Sequence, residues 1–364
     1  MWIDALQMIS MTTGWALVWP SNPDHSSTLA VARTADGGRT WTAVTPPAAV
    51  SVLATGETLL QAATARRAWL VVTTGNSSGP AKTHVFSTTD GGQSWRESPA
   101  VGAAGQPVGI DFAGPRRGWL LDSLGEAMNQ NPVTLYRSTD GGLHWSLAAK
   151  SARIAGGALD RSGLPVGCDK VGVAFQSTLA GWITSSCPGG PDDVLASADG
   201  GGHWAPATLP PAAGACQPSG CDISPPQFAG HAVFLVIGVY PTGAYLLVSA
   251  NSGEDWQALR MPAGAGPYPR VRFFSAADGI AVSAGSQGTI RRDFYLTTDG
   301  GLTWTTVRQG MRFGNWDDFD FVSLRAGFSW TYPGGGTEAV PHLLRTSDSG
   351  RIWTSVTPRL VSAP

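Results

Sequence analysis

One short phrase recurs seven times along this chain of 364 residues. A Ser or Thr stands two residues before an Asp, glycine follows within two residues, and a Trp lies five residues after the Asp. The pairs are Asp36/Trp41, Asp90/Trp95, Asp140/Trp145, Asp199/Trp204, Asp299/Trp304 and Asp348/Trp353, with Asn251/Trp256 as the one amide copy. Successive copies are about 48 to 59 residues apart, the period of a propeller blade. A unit of that length cannot bury a core alone and must stack on its neighbours. The expectation is therefore one all-β domain over residues 1–364, a seven-bladed β-propeller of four-stranded antiparallel blades. The units read as 3–47, 57–99, 107–149, 168–210, 222–260, 269–309 and 317–358.

The first unit shows the pattern. Strand-like Ile3 to Ser10 is followed by a turn at Thr12-Thr13-Gly14 and a second strand from Trp15 to Trp19. A third strand covers Thr28 to Arg33, and the repeated phrase then turns the chain into a fourth, Trp41 to Thr45. A second phrase precedes the first in each unit: an apolar residue seven positions before the Trp of the second strand. Its pairs are Met8/Trp15, Ala62/Trp69, Phe112/Trp119, Phe175/Trp182, Phe228/Leu235, Phe273/Ile280 and Phe321/Phe328. These aromatics are expected to pack between adjacent blades, because each buries ~150–250 Å².

The repeated phrase reads as a turn. Asp-Gly between strands is a hairpin signal, since glycine takes positive φ without steric cost. The Asp oxygen is expected to bond backbone N–H groups one or two residues on, and Asn251 can do the same through its amide oxygen. The Trp is expected to fold back on the turn, so Trp145→Ala should cost ~3–5 kcal/mol. A calcium loop needs several oxygen ligands at alternating positions, and only one carboxylate recurs.

The phrase Ser/Thr-x-Asp-x-Gly-x-x-Trp resembles the Asp-box, or BNR repeat, of sialidases, sortilin-type receptors and some glucanases. Paired with the Gly-Trp second strand (Gly14-Trp15, Gly118-Trp119, Gly181-Trp182), it resembles the photosystem II stability/assembly-factor-like propellers, which are seven-bladed. The resemblance covers essentially the whole chain. It implies an exported or lumenal binding scaffold. It does not imply an activity, because such boxes occur in enzymes and non-enzymes alike. The Ala-, Gly- and Pro-rich composition with three Lys resembles that of a high-GC bacterium.

Chemistry is harder to find. A sialidase would carry a Phe/Tyr-Arg-Ile-Pro signature near the start; the nearest echo, Tyr268-Pro269-Arg270, is in the wrong unit. A glucanase-type mechanism needs two carboxylates ~5 Å apart for retention or ~6–9 Å for inversion. Asp4, Asp111, Asp317, Asp318 and Asp320 are the candidates on innermost strands. The residue before each inner-strand anchor is Gln7, Gln61, Asp111, Ala174, Gln227, Arg272 or Asp320, six of the seven polar, and strand alternation puts them on one side. They form either a hydrogen-bonded ring near the axis or a polar ligand site in which Arg272 is flanked by Asp320 and Gln227, with Asp111 and Gln7 at the same channel mouth. No catalytic residue is assigned. His144 and His203 belong to the repeated phrase, the other His lack ligand spacing, and no phosphate loop appears. Neither a metal nor a cofactor is expected.

Four Cys permit three pairings. Cys168 begins the first strand of the fourth unit and Cys187 ends its second, so antiparallel pairing brings them together. Cys216 and Cys221 share one loop and can clip it. Disulfides point to an extracellular or cell-envelope location, with any secretion leader absent from this chain. With 24 basic against 26 acidic residues the chain has no electrostatic footprint for nucleic acid. The longest apolar stretch, Ala232 to Ala250, is broken by Pro241-Thr242-Gly243 and reads as two strands, not a transmembrane segment. Each unit runs from inner to outer strand without a split. The ring is therefore expected to close through the face between units one and seven, with Arg359 to Ser362 the only segment left for an extra strand. The expected function is a monomeric, non-catalytic binding scaffold for a protein or glycan ligand. The alternative is a glycoside hydrolase using channel carboxylates.

Overall fold

The computed structural model describes residues 1–20, 28–49, 58–76, 79–102, 105–125, 130–151, 163–187, 193–210, 221–239, 241–283, 291–313, 318–331 and 342–362. Asp317, Cys216 and much of the loops at 150–167 and 207–221 lie outside them, as does the side chain of Cys221. The chain forms seven antiparallel meandering sheets, the blades of a β-propeller. In blade 3 the strands run Gln106–Phe112, Gly118–Ser123, Val133–Ser138 and Ser146–Lys150 from the hub outward. Burial peaks at the second strand and falls from there outward. Second strands such as Gly118–Ser123 are buried throughout, whereas outer strands such as Arg96–Glu97 are exposed. Sheets covered on both faces tolerate continuous apolar runs. This explains why Ala232–Val239 reads like part of a membrane span: it pairs with Gly243–Ser249 inside blade 5. No described helix is long and apolar enough to cross a membrane.

The core is not central. It divides into seven clusters of buried side chains, one between each pair of neighbouring blades. The aromatic phrase organises several of them. Trp69 stacks on Phe112 of the next blade with centroids 3.7 Å apart, and Trp119 stacks on Phe175 at 3.5 Å. The Trp of the repeated turn packs edge-on against the same Phe, as Trp145 does on Phe112 and Trp204 on Phe175. The Phe ring also explains the glycine of the Gly-Trp pair. A Cβ on Gly118 would meet the Phe112 ring at 2.4 Å, and one on Gly181 would meet Phe175 at 2.3 Å. Blade 2 has alanine on both sides, with Ala62 opposite Ala68.

Blade 5 departs from the expected register. Its inner strand is interrupted by Ser224-Pro225-Pro226, so that Cys221–Ile223 and Gln227–Ala229 pair separately with Ala232–Val239. Proline lacks the N–H that a continuous ladder needs. The following turn is one residue shorter, and Gln227 lies opposite Phe234, as Asp111 lies opposite Trp119. Phe234, not Leu235, is thus the counterpart of the second-strand Trp, and it stacks on Phe273 at 3.6 Å.

The repeated turns share one hydrogen-bond pattern. In blade 1 the Thr34 hydroxyl donates to Asp36 Oδ1 at 3.0 Å and accepts from Gly38 N at 3.0 Å. Asp36 Oδ1 also accepts from Thr40 N at 2.8 Å. The carboxylate therefore closes the turn from four residues on, not from one or two. Asn251 uses its amide oxygen likewise, accepting from Asp255 N at 2.9 Å. Bonds from the Ser94 hydroxyl and N–H, with lesser contributions from Thr88 and Gln93, hold the Asp90 carboxyl down to about 2. Burial pushes Asp199 up, but bonds from His203, Ser197 and Gly202 outweigh it and hold that carboxyl at about 2. Trp41, Trp145, Trp204, Trp256 and Trp353 each donate Nε1–H to the glycine carbonyl three residues before. Trp95 reaches Val44 O in the preceding blade instead, and Trp304 Nε1 is buried without a partner among the described residues. In every blade the N–H after the Asp or Asn bonds a carbonyl of the turn between strands one and two, as Gly91 N does Arg66 O.

Closure differs from expectation. Arg359–Val361 adds to blade 1 as a fifth strand, parallel to Thr40–Ala43, with Leu360 opposite Trp41. Leu360 packs on the cluster shared by blades 7 and 1. The ring is therefore held by a strand that crosses from the last blade to the outer edge of the first, as well as by the face between them. The Cys168–Cys187 disulfide is present and ties the two inner strands of blade 4.

Candidate hub-ring binding site

Each inner strand places one side chain at an equivalent hub position. Most of them reach the neighbouring blade. Gln7 Nε2 donates to Leu60 O at 2.9 Å and Gln7 Oε1 accepts from Ala62 N at 2.6 Å, so its amide brackets Gln61. Gln227 does the same between blades 5 and 6, donating to Val271 O and accepting from Phe273 N at 3.2 Å, thereby bracketing Arg272. An aspartate can only accept, and it satisfies the N–H alone. Asp111 Oδ2 takes Phe175 N at 2.6 Å, and Asp320 Oδ2 takes Met8 N. Gln61 Nε2 donates to Asp111 Oδ1 at 3.0 Å. Ala174 has nothing to offer, and Gln176, two residues on, links blade 4 to Gly230 O at 2.6 Å.

Burial raises both ring acids. It pushes Asp111 up to about 6 against the bonds from Phe175 N, Gln61 and Phe112 N. It pushes Asp320 up to about 6 against the Met8 bond and the Arg272 charge, with Asp318 adding to the rise. Asp111 and Asp320 belong to blades 3 and 7 and serve different blade boundaries. Asp4 lies at the far end of blade 1's inner strand and accepts from Trp19 Nε1 at 3.4 Å.

Arg272 is the exception. Its side chain is exposed, it forms no hydrogen bond with the described residues, and its charge acts on Asp320. It lines a cleft of about 380 Å³ on the inner strands of blades 5 to 7, together with Gln227 and Asp320. Pro225, Pro269 and Phe319 supply apolar walls. Arg270, on the same face two residues away, forms an ion pair with Asp318. The structure thus groups Arg272, Asp320 and Gln227 in one cleft, and places Gln7 and Asp111 elsewhere on the ring. Arg270 went unread in the sequence, where its neighbourhood is only a failed echo of a sialidase signature; the alternation Arg-x-Arg on an inner strand is the signal that marks it. Among the described residues no group of His, Cys, Asp or Glu is arranged to hold a metal ion.

Fold and hub together define a seven-bladed propeller with a polar, blade-linking ring that opens at one cleft. No family model and no curated protein matches the chain. Solved structures do. The chain is similar to YCF48 bound to a D1 peptide, at 14% identity over 83% of this chain and 82% of that one, with a TM-score of 0.49. It is similar to the GH74 xyloglucanase from Xanthomonas campestris, at 16% identity and TM-score 0.56, covering 96% of this chain and 52% of the enzyme. It is also similar to the BP39L lectin from Burkholderia pseudomallei, at 11% identity and TM-score 0.56, over 97% and 98% of the two chains. At these identities the likeness to the xyloglucanase and the lectin is one of fold.

Proposed function

We propose that this is a non-catalytic binding propeller, exported or envelope-associated, whose ligand sits over Arg272. One observation carries the reading: of the six polar hub residues, Arg272 alone spends no hydrogen bond on a neighbouring blade among the described residues. A guanidinium with five donors, set in a cleft with proline and Phe319 walls, suits a ligand with an apolar body and an acceptor group. The Cys168–Cys187 bridge supports an oxidising compartment. The seven turns are read as Asp-boxes of the kind binding propellers carry, and the lectin among the similar structures makes glycans a class to test beside peptides. The experiment is a glycan array and a peptide library screened with the intact protein and with Arg272→Ala. Binding by the first, lost in the second at unchanged melting temperature, is the expected result. Equal binding by both would refute the site.

A second reading has one observation of its own. Asp320 lines the cleft with its carboxyl raised to about 6, the property of a general acid in glycoside hydrolysis, and Asp318 lies two residues along the same strand. Turnover of a chromogenic glycoside that vanishes in Asp320→Asn would replace the binding reading with this one.

A further inference from the structure

A second cleft lies between blades 2 and 3, far along the fold from the hub, and its origin can be read by comparing the blades with one another. Three blades carry an arginine three residues before the Asp of the repeated turn: Arg33 in blade 1, Arg137 in blade 3 and Arg345 in blade 7. Each reaches across to the glycine after the Asp, or its equivalent, in the next blade. A Cβ built on Gly91 would lie 3.5 Å from the Arg33 guanidine carbon, one on Gly200 3.4 Å from Arg137 Nη1, and one on Gly37 3.9 Å from Arg345 Nη1. The guanidinium fills the groove between third strand and neighbouring turn.

Blades 4, 5 and 6 have the apolar Ala196, Val248 and Leu296 at this position, and blade 2 has Ser87. The corresponding glycine, Gly141, has no side chain within 4 Å of a built Cβ. A cleft of about 210 Å³ opens there, lined by Ser87, Gly141, Thr89, Trp69, Arg67 and Arg96, with Asp140 and Ser94 among its other walls. The hydroxyls of Ser87 and Thr89 and the Arg96 guanidinium make no hydrogen bond with the described residues. The Asp140 carboxylate is already used by its own turn, accepting from Ser138 Oγ, Leu143 N and His144 N at 2.9 to 3.1 Å.

We infer that this cleft binds a small oxyanion, a carboxylate or phosphate group, between Arg67, Arg96 and the free hydroxyls. Paired guanidinium and hydroxyl donors match the planar or tetrahedral acceptors of such groups. A guest guanidinium, the group that fills the equivalent space beside blades 1, 3 and 7, does not fit the chemistry. The carbonyl that Arg33 Nε reaches at 2.8 Å, Ala65 O, has its counterpart Pro115 O already occupied by Arg67 Nη1 at 2.8 Å, and two resident cations repel a third. This site is independent of the Arg272 cleft.

The test uses thermal unfolding of the intact protein with sodium phosphate, sodium acetate or sodium glucuronate, each against sodium chloride at equal ionic strength. A bound anion raises the melting temperature saturably. The expected result is a rise for the wild-type protein, absent in Ser87→Leu, which fills the groove with an apolar side chain and adds no charge. In Arg96→Ala the apparent Kd should rise five-fold or more. Phosphate alone acting would identify a phosphate-bearing ligand; the two carboxylates acting would identify an acidic one. No rise with any of the three at ~50 mM, a concentration that reports even millimolar Kd, overturns the proposal. So does an equal rise in both variants, or a rise with arginine hydrochloride in place of the oxyanions.

Discussion

Trp119 lies flat on Phe175, 3.5 Å between centroids and 4° from parallel, across the boundary between blades 3 and 4. The two blades otherwise meet through their backbones at an isolated Gln130–Cys168 bridge, and Trp119 Nε1 adds a bond to Gly200 O at 2.9 Å. Trp119 is fully buried, so Trp119→Ala leaves both a cavity and an unpaired carbonyl. We expect a loss of ~3–5 kcal/mol in urea unfolding. Trp145, only half-buried on the neighbouring boundary, has less to lose, and ~2 kcal/mol is the expected cost of its truncation.

The glycine under each inner-strand Phe makes a sharper test of the repeat. Gly118→Ala puts a methyl 2.4 Å from the Phe112 ring, an overpacking that costs ~1–3 kcal/mol. Blade 2 shows the compensating pair, Ala62 opposite Ala68. In a double-mutant cycle, Gly118→Ala should therefore be nearly neutral when Phe112 is already Ala. Additive losses would show that the ring does not dictate the glycine.

How much of this was legible in the chain follows from where each contact partner lies. The period of Asp36, Asp90 and their successors marks the blades because every copy repeats a local turn. The hub positions were legible too, since Gln7, Asp111 and Asp320 interrupt apolar strands one residue before the anchors. Their bonding was not, because the acceptor and donor of Gln7 are backbone groups of residues 60 and 62, which no side-chain pattern reveals. The register of blade 5 was misread at Leu235 because the turn before it is one residue short. The closing strand Arg359–Val361 has three residues and no alternation long enough to register as a strand; it exists because Thr40–Ala43 offers an open edge. The groove at Ser87 becomes visible only when the blades are superposed and Arg33, Arg137 and Arg345 are seen to share one task.

That closing strand carries a prediction. Deleting residues 359–364 exposes the outer edge of blade 1 and removes Leu360 from the cluster between blades 7 and 1. Full burial of a Leu is worth ~1.5–3 kcal/mol, and Leu360, partly buried, contributes less. We expect a lower melting temperature, faster amide exchange in Thr40–Ala43, and concentration-dependent association through the unpaired edge. Leu360→Asp should reproduce the first two effects.

Reduction of the Cys168–Cys187 bridge frees a loop with a sequence separation of 19. Loop-closure arguments put its contribution at ~3 kcal/mol. Cys168→Ser/Cys187→Ser should lower the unfolding free energy measured in urea by that amount without altering the hub cleft, which the Arg272-dependent binding assay can confirm.

The buried acids set the pH dependence. Burial raises Asp111, Asp320 and Asp122 from 3.8 to about 6; for Asp122 only the Thr83 hydroxyl opposes it. Between these values the folded state holds protons that the unfolded chain has released, so stability falls as pH rises from ~4 to ~6. The stabilisation is complete below the unfolded pKa and lost above the folded one. Asp90 and Asp199, lowered to about 2, act in the opposite sense and weaken the fold as pH drops from ~4 toward ~2. Stability should therefore peak near pH 4. Asp111→Asn tests the assignment. The amide oxygen can still accept from Phe175 N, and its NH₂ takes the place of Oδ1 opposite Gln61, whose amide must turn over to present Oε1 as the acceptor. The variant should match the wild type near pH 4 and exceed it at pH 7 by up to ~2–3 kcal/mol, the equivalent of a two-unit shift. A denaturation midpoint that climbs from pH 4 to pH 7 in the wild-type protein would show that these carboxyls ionise in the folded state as readily as in the unfolded chain.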